Sequence, residues 1–401
     1  MADNKIEIEV ALNTEKIEKD WSRLAKTSGN EAEKASAQGQ KSFKDTEKQS
    51  QNSSKKVGEH WKAASGIAKN ALKSGMGGAK KVIRKTTQIL VDAGTAAVKT
   101  GITFENAFAG VKKTVNASDK EMEQLRKGIL DMSKELPESA SEIAAVAEEA
   151  GKLGIKSNGI LGFTKTMIQL GDSTSLSTEE AATSLSKLAD ITQMPQTEFS
   201  RLGSTVVALS GQLDTSEKKI TDMAVEIAGA GHEAGMSETE ILSFAGILSS
   251  AGQEAEAGST AFSQLTSKMN QAAASGGNDL NEFARISGTS SEQFKKAFQE
   301  DAAGAVGSFL QGLDQINQNG GNTVKTLENL GLSDVQVQDT LLKAAEASGT
   351  FTETLAAGNQ AWSDNTALQD KAGQQYETTE NKISTLSNKF SQLGISIFDN
   401  V

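Results

Sequence analysis

The 401-residue sequence contains no cysteine, 2 prolines, 2 histidines and 1 tyrosine. Without cysteine there is no disulfide framework, no thiolate metal site and no cysteine nucleophile; the absence suits a reducing cytoplasm without fixing the compartment. The histidines, His60 and His232, stand 172 positions apart. A histidine-rich metal site or a histidine-centred triad therefore has almost no raw material. Aromatics are sparse (14 Phe, 3 Trp, 1 Tyr), and Ala, Glu, Lys and Gln abound. That balance disfavours strand-rich folds. No run approaches the ~20 apolar residues that span a bilayer. The longest, 89–98 and 241–252, are broken by Thr, Asp, Ser or Gly. The polar N-terminus, Met1 to Lys5, is no secretory leader. Leu, Ile, Val and Phe make up 83 residues, close to the floor for a packed core.

What is present is unevenly spread. Residues 1–100 hold 19 basic and 12 acidic side chains, whereas the whole chain carries a net charge of -11. Between Ala25 and Lys80 only Phe43, Val57, Ile67 and Leu72 represent the four large apolar types. Such a stretch cannot offset its ordering entropy by burial. Ahead of it, Ile6, Ile8, Val10 and Leu12 alternate with Glu7, Glu9 and Ala11, the period of a half-buried strand. Asn13 then caps a short helix with Ile17, Trp21 and Leu24 on one side.

From about Thr103 the pattern becomes regular. Helix-start boxes recur at Ser118/Glu121, Ser139/Glu142, Ser177/Glu180, Asp214/Glu217, Ser237/Glu240, Thr289/Glu292, Ser333/Gln336 and Thr350/Glu353. The first helix carries Met122, Leu125, Ile129, Met132 and Leu136 and is predicted to stop at Pro137. Later stripes are Leu185, Leu188 and Ile191, ended by Pro195, and Phe199, Leu202, Val206 and Leu209. Gly154, Gly171, Gly211, Gly235 and Gly349 sit where C-caps are expected. The fold expected is mainly α: an extended N-terminal helical segment, with one candidate short strand at 5–12, then a compact multi-helix domain. The organisation is a strand–helix unit at 1–28, a basic, core-poor segment at 29–102, an all-α domain at 103–373 and a last helix at 374–401.

No complete catalytic or ligand motif emerges. His232-Glu233 lacks the second histidine of a zinc helix, and His60 lies in the core-poor stretch. Gly229, Gly231 and Gly235 are one residue too widely spaced for a dinucleotide fingerprint and follow no strand, so helix termination or close packing accounts for them. Gly75 to Lys80 lacks the spacing and the Lys-Ser/Thr pair of a phosphate loop. Glu148-Glu149, Glu179-Glu180 and Glu238/Glu240 suit helix first turns or solvent faces. Glu138-Ser139 has the Glu-Ser pair of lysozyme-like transglycosylases, but the Ser139/Glu142 box explains the same residues. Residues 41–99, with 13 basic against 4 acidic side chains and only the aromatics Phe43 and Trp61 among them, read by default as a solvated cationic helix, with contact to nucleic acid or another anionic surface as the alternative. No catalytic, cofactor-binding or metal-ligating residue is assigned, and no cofactor or small-molecule substrate is expected.

Several blocks, in order, carry a resemblance. Phe104-Glu-Asn-Ala-Phe-Ala-Gly-Val-Lys-Lys-Thr-Val115 resembles the opening of the conserved region in tail tape measure proteins of tailed phages infecting Gram-positive bacteria. Residues 135–155, 176–182, 228–231, 255–262 and 331–342 are similar to that family's successive segments, so the resemblance covers roughly 100–395. It implies a structural virion protein that lies in the tail tube, sets tube length during assembly and leaves ahead of the genome. The implied partners are the tail tube protein, tail assembly chaperones, tail-tip proteins and further copies of itself; contact with DNA is a separate expectation that rests on the net +9 of residues 41–99. The implied location is the tube lumen of the virion tail, and the host cytoplasm during assembly. Members of that family run on past this point, so this chain is expected to be an N-terminal portion or an unusually short member. The competing class is a cytoplasmic or secreted helical coiled-coil interaction protein without catalytic activity; a cell-wall hydrolase would need a catalytic domain these residues do not supply.

Overall fold

A computed structural model describes residues 100–378 and, beyond them, Asn381, Ser384, Thr385, Asn388 and Ile395. The strand expected at 5–12, the helix after Asn13 and the basic stretch up to residue 99 lie outside the described residues. The fold is mainly α, as the sequence pattern requires. Residues 100–114 form helix α1. There follow α2 (Asp119–Met132), α3 (Ala140–Lys152), α4 (Ser157–Ser173), α5 (Thr178–Thr192), α6 (Phe199–Gln212), α7 (Glu217–Glu233) and α8 (Glu238–Ser250). Then come α9 (Ala255–Ser275), α10 (Gly277–Ile286), α11 (Ser291–Glu300), α12 (Ala302–Gln318), α13 (Thr323–Asn329) and α14 (Val335–Glu346). A 3-10 turn, Ala347–Thr350, leads to α15 (Phe351–Asp364) and α16 (Ala367–Tyr376). No strand occurs among the described residues.

The helices begin where their first-turn donors find side-chain acceptors. The boxes at Ser118/Glu121, Ser177/Glu180 and Ser237/Glu240 close in both directions. At α3, Ser139 N–H donates to Glu142 at 2.8 Å and Glu142 N–H donates back to the Ser139 hydroxyl at 3.3 Å. Four expected boxes shift. Helix α7 is capped by Ser216 rather than Asp214, α11 by a Ser290/Gln293 box rather than Thr289/Glu292, and α14 by Asp334 rather than Ser333. In each case neighbouring polar residues offer rival caps, and the register of the buried face selects one. Thr350 accepts no cap bond because the 3-10 turn already supplies the approach to α15.

Helix ends show similar adjustments. Helix α2 stops at Met132, four residues short of Leu136. Leu136 is buried all the same, carried inward by a turn in which its N–H donates to Met132. Gly154 and Gly235 end helices in the left-handed region, at φ 80° and 85°. Gly171 and Gly211 instead stay inside α4 and α6, and Gly349 lies in the 3-10 turn.

The described residues fall into two units, one running to Glu148 and resuming at Tyr376, the other spanning Glu149–Gln375. In the first, Phe104 and Phe108 stack with centroids 5.9 Å apart, beside buried Val111, Leu125 and Ile129. The Arg126 guanidinium lies 5.1 Å from the Phe104 ring centre and donates to Glu105 at 2.8 Å. The Asn388 amide donates to the carbonyls of Pro137 and Glu138 at 2.8 and 2.7 Å. Those carbonyls lie past the end of α2 and have no helical partner of their own.

In the second unit, α8 is buried on nearly all sides, as an apolar helix without a polar face must be. It packs on α6, α7 and α15, and α7 also meets α5 and α9. Phe244 of α8 joins Phe262 and Phe351 at centroid separations of 5.3 and 4.8 Å. A further aromatic cluster, Phe283, Phe294, Phe298 and Phe309, unites α10, α11 and α12. Here α12 crosses α10 so closely that a Cβ on Gly312 would sit 1.8 Å from the Ile286 carbonyl oxygen. Only glycine fits that crossing.

Candidate functional site

The most constrained polar group of the second unit is Glu217, at the first position of α7. It is 5 % exposed, an unusual place for a carboxylate. The Ser175 hydroxyl, in the α4–α5 turn, donates to Oε2 at 2.9 Å. The Ser210 hydroxyl of α6 donates to Oε1 at 2.9 Å, and Lys371 Nζ of α16 reaches the same oxygen at 2.5 Å. Burial pushes the Glu217 carboxyl up, but Lys371, the backbone N–H of Glu217 itself, Ser175 and Ser210 together hold it down to about 2. A general acid or base needs a pKa near its working pH. Glu217 is instead a fixed anion that ties four segments together.

Glu180 is also held down to about 2, by the Ser177 backbone N–H first, with Lys218 and the Ser177 hydroxyl adding to it. It closes a helix start on an exposed surface, with Lys218 at 3.1 Å.

The residues singled out in the sequence take structural places. His232 is exposed in the last turn of α7, where its carbonyl accepts from Gly235 N–H at 3.0 Å. Gly231 is buried against Ile241, whose Cγ1 would lie 2.7 Å from an added Cβ. Gly235 ends the helix and Gly229 faces open space. Gly231 thus serves close packing and Gly235 termination, whereas Gly229 does neither. Glu149 pairs with Lys152 at 2.6 Å, and Glu240 closes the Ser237 box. Ser139 and Glu142 start α3, while the Glu138 carbonyl accepts from Asn388. His60, Gly75 to Lys80 and the basic stretch 41–99 lie outside the described residues. Among the described residues no group of three or more histidine or carboxylate side chains could hold a metal ion. None of their helices is long and apolar enough to cross a membrane.

A cleft of about 670 Å³ opens between α7 and α9. Gly229, Ala230 and Ala234 form its α7 side; Ser263, Ser267 and Gln271 are typical of its α9 side. Its ionisable groups are Glu233 and Lys268. Hydroxyls and amides there can make contacts, but no nucleophile stands beside a base. Nothing in the sequence marks this cleft, because its lining has the composition of any solvated helix face.

Residues 126–275 match a known protein family. That family is the phage-related minor tail protein. The matched stretch begins within α2 and ends with α9, so it takes in Glu217, Ser175, Ser210 and the α7–α9 cleft, while Lys371 lies beyond it. No curated protein and no solved structure matches the chain. The similarity to a minor tail protein supports a structural role in a phage tail, in contact with other tail components. The family description names a tail protein rather than an enzyme, in keeping with a site made of structural ties.

Proposed function

We propose that this protein is a tail tape measure protein, which sets the length of the tail tube, scaffolds its assembly and is released as the genome leaves. The observation that carries the reading is the minor tail protein match over 126–275. The tape-measure-like blocks at 104–115 and 331–342 extend the resemblance on both sides of that match. The geometry at Glu217 agrees with it: the buried carboxylate ties helices together. On this reading the protein works in the tube lumen after assembly in the host cytoplasm. Its partners are the tail tube protein, the assembly chaperones, the tip proteins and other copies of itself. The 13 basic residues of 41–99 would meet an anionic lumen or the arriving DNA, a contact that weakens as salt rises because counterions are released.

The test is genetic and direct. Deleting the gene from a producing phage should leave no tails, or tubes of uncontrolled length, in electron micrographs. Mass spectrometry of purified wild-type tails should find the chain. Tails of normal length without the protein would overturn the proposal.

A further inference from the structure

The sequence contains two Asn-Gly pairs, Asn158-Gly159 and Asn319-Gly320. In this dipeptide the asparagine side chain is open to attack by the next backbone nitrogen, because glycine has no Cβ to stand in the way. Both asparagines are exposed, but the fold treats the two pairs differently. Asn158 is the second residue of α4, and Gly159 beside it is buried. Gly159 N–H donates to the Lys156 carbonyl at 2.8 Å, and a Cβ on Gly159 would stand 3.2 Å from the Gln196 carbonyl oxygen. Attack on the Asn158 side chain needs the peptide between the two residues to rotate. That rotation would lift Gly159 out of α4 and away from Gln196.

Asn319 instead follows the last residue of α12, with its backbone at φ -85° and ψ 9°. Gly320, Gly321 and Asn322 beyond it are exposed and belong to no helix. Gly320 holds φ 72° and has open space around it. The N–H groups of Asn319, Gly320 and Gly321 donate to the carbonyls of Gln315, Asn317 and Ile316 at 3.1, 2.9 and 2.9 Å. The Asn319 side-chain amide also donates to the Gln315 carbonyl, at 2.8 Å. All of these bonds belong to a helix end, the part of a helix that frays at least cost. The same rotation of the peptide here displaces a turn rather than a packed helix.

We propose that the fold directs deamidation to Asn319, which makes the α12–α13 turn a site of slow covalent modification. The Gly320 nitrogen, its proton taken by hydroxide, attacks Cγ of Asn319 and closes a cyclic imide. The Cγ–Nδ2 bond breaks, and Nδ2 leaves as ammonia with a proton from water. Water then adds to either imide carbonyl and opens the ring to aspartate or isoaspartate, with no oxidation or reduction. The product has a carboxylate where the amide donor stood. It loses the bond to the Gln315 carbonyl and sets a negative charge at the end of α12, where the helix dipole and the unpaired carbonyls oppose it. The end of α12 is thereby loosened. This chemistry is independent of the proposed role in the tail.

Ageing the purified full chain at neutral and mildly alkaline pH, with peptide mass spectrometry to locate each converted asparagine, tests this. Asn319 should convert at least about tenfold faster than Asn158, because a helix end opens at far less cost than a packed helix. Its rate should rise with pH, and isoaspartate should accumulate at that position. In the urea-unfolded chain the two rates should converge, since the dipeptide is the same. Equal rates in the folded protein, a faster Asn158, or a ratio that unfolding leaves unchanged would overturn the proposal. Asn319→Asp carries the charge of the product from the start. Faster amide hydrogen exchange in the last turn of α12, with α4 unchanged, would support the loosening, and unchanged exchange in that turn would refute it.

Discussion

Glu217 makes the acid stability of the second unit predictable. Its carboxyl falls from an ordinary 4.5 to about 2 in the folded protein. A depressed carboxyl stabilises the fold at every pH above its unfolded value and loses that contribution as pH drops through the folded one. The window is therefore pH 4.5 down to 2, with stability falling on acidification. A shift of that size corresponds to about 3 kcal/mol at neutral pH, roughly 2 of which should be gone by pH 3. The Glu217 side chain is 7 % exposed, so solvent screens it little, although its partner Lys371 is 40 % exposed. Glu217→Gln keeps the shape and can still accept from a serine hydroxyl, but it removes the charge. Urea unfolding followed by far-ultraviolet circular dichroism should show the variant roughly 2–3 kcal/mol less stable at pH 7. By pH 3 the gap should close to about 1 kcal/mol. Lys371→Met should instead move the wild-type acid loss to higher pH, because the strongest group holding the carboxyl down is gone. A gap between wild type and Glu217→Gln that is the same at pH 7 and pH 3 would refute the assignment of Glu217 as a buried anion.

Two glycines and two threonines give further measurements. Gly312→Ala drives a Cβ into the Ile286 carbonyl, which is backbone and cannot swing aside, and should cost about 3 kcal/mol in thermal or urea unfolding. Gly229→Ala on exposed α7 meets nothing within 4 Å and should stabilise by about 0.5–1 kcal/mol; like effects from the two changes would contradict the helix crossing described here. The hydroxyls of Thr164 and Thr354 are buried without a hydrogen-bond partner among the described residues. Thr164→Val and Thr354→Val should therefore each stabilise by about 1 kcal/mol, and a loss of stability in either would reveal a polar partner at that hydroxyl.

Much of the helical body is written locally. Phe199, Leu202, Val206 and Leu209 recur at helical spacing, and all four are buried on α6. Serine followed three residues later by glutamate marks the starts of α2, α3, α5 and α8 because the two side chains satisfy each other's backbone donors. Where several polar residues adjoin, as at Asp214 to Glu217, that local logic is degenerate, and tertiary packing decides. The role of Glu217 was illegible for a deeper reason. Its partners Ser175 and Lys371 come from 42 and 154 positions away, and nothing near Lys371 distinguishes it from the other lysines. The α7–α9 cleft was equally silent, since Ser263, Ser267 and Gln271 have the chemistry of any wetted face.

The folded second unit limits how a proposed tape measure could set tube length. A helical residue adds about 1.5 Å along an axis, so 401 residues could span at most about 600 Å if wholly helical. The second unit cannot contribute on that scale while folded. Its longest helix, α9, has 21 residues and so measures about 32 Å, and its neighbours fold back against it. Any measuring must fall to residues outside that body. Removing 36 residues in frame from within 29–102, ten turns if that stretch lies helical along the tube, should shorten tails by about 54 Å. Removing α10 and α11 should not shorten tails by their length. It takes Phe283, Phe294 and Phe298 out of a packed core, and should abolish assembly instead. Electron microscopy of tails from both mutants separates the two roles. Unchanged length after the first deletion would rule out measurement by residues 29–102, and normal, proportionally shortened tails after the second would show that the folded body itself is the tape.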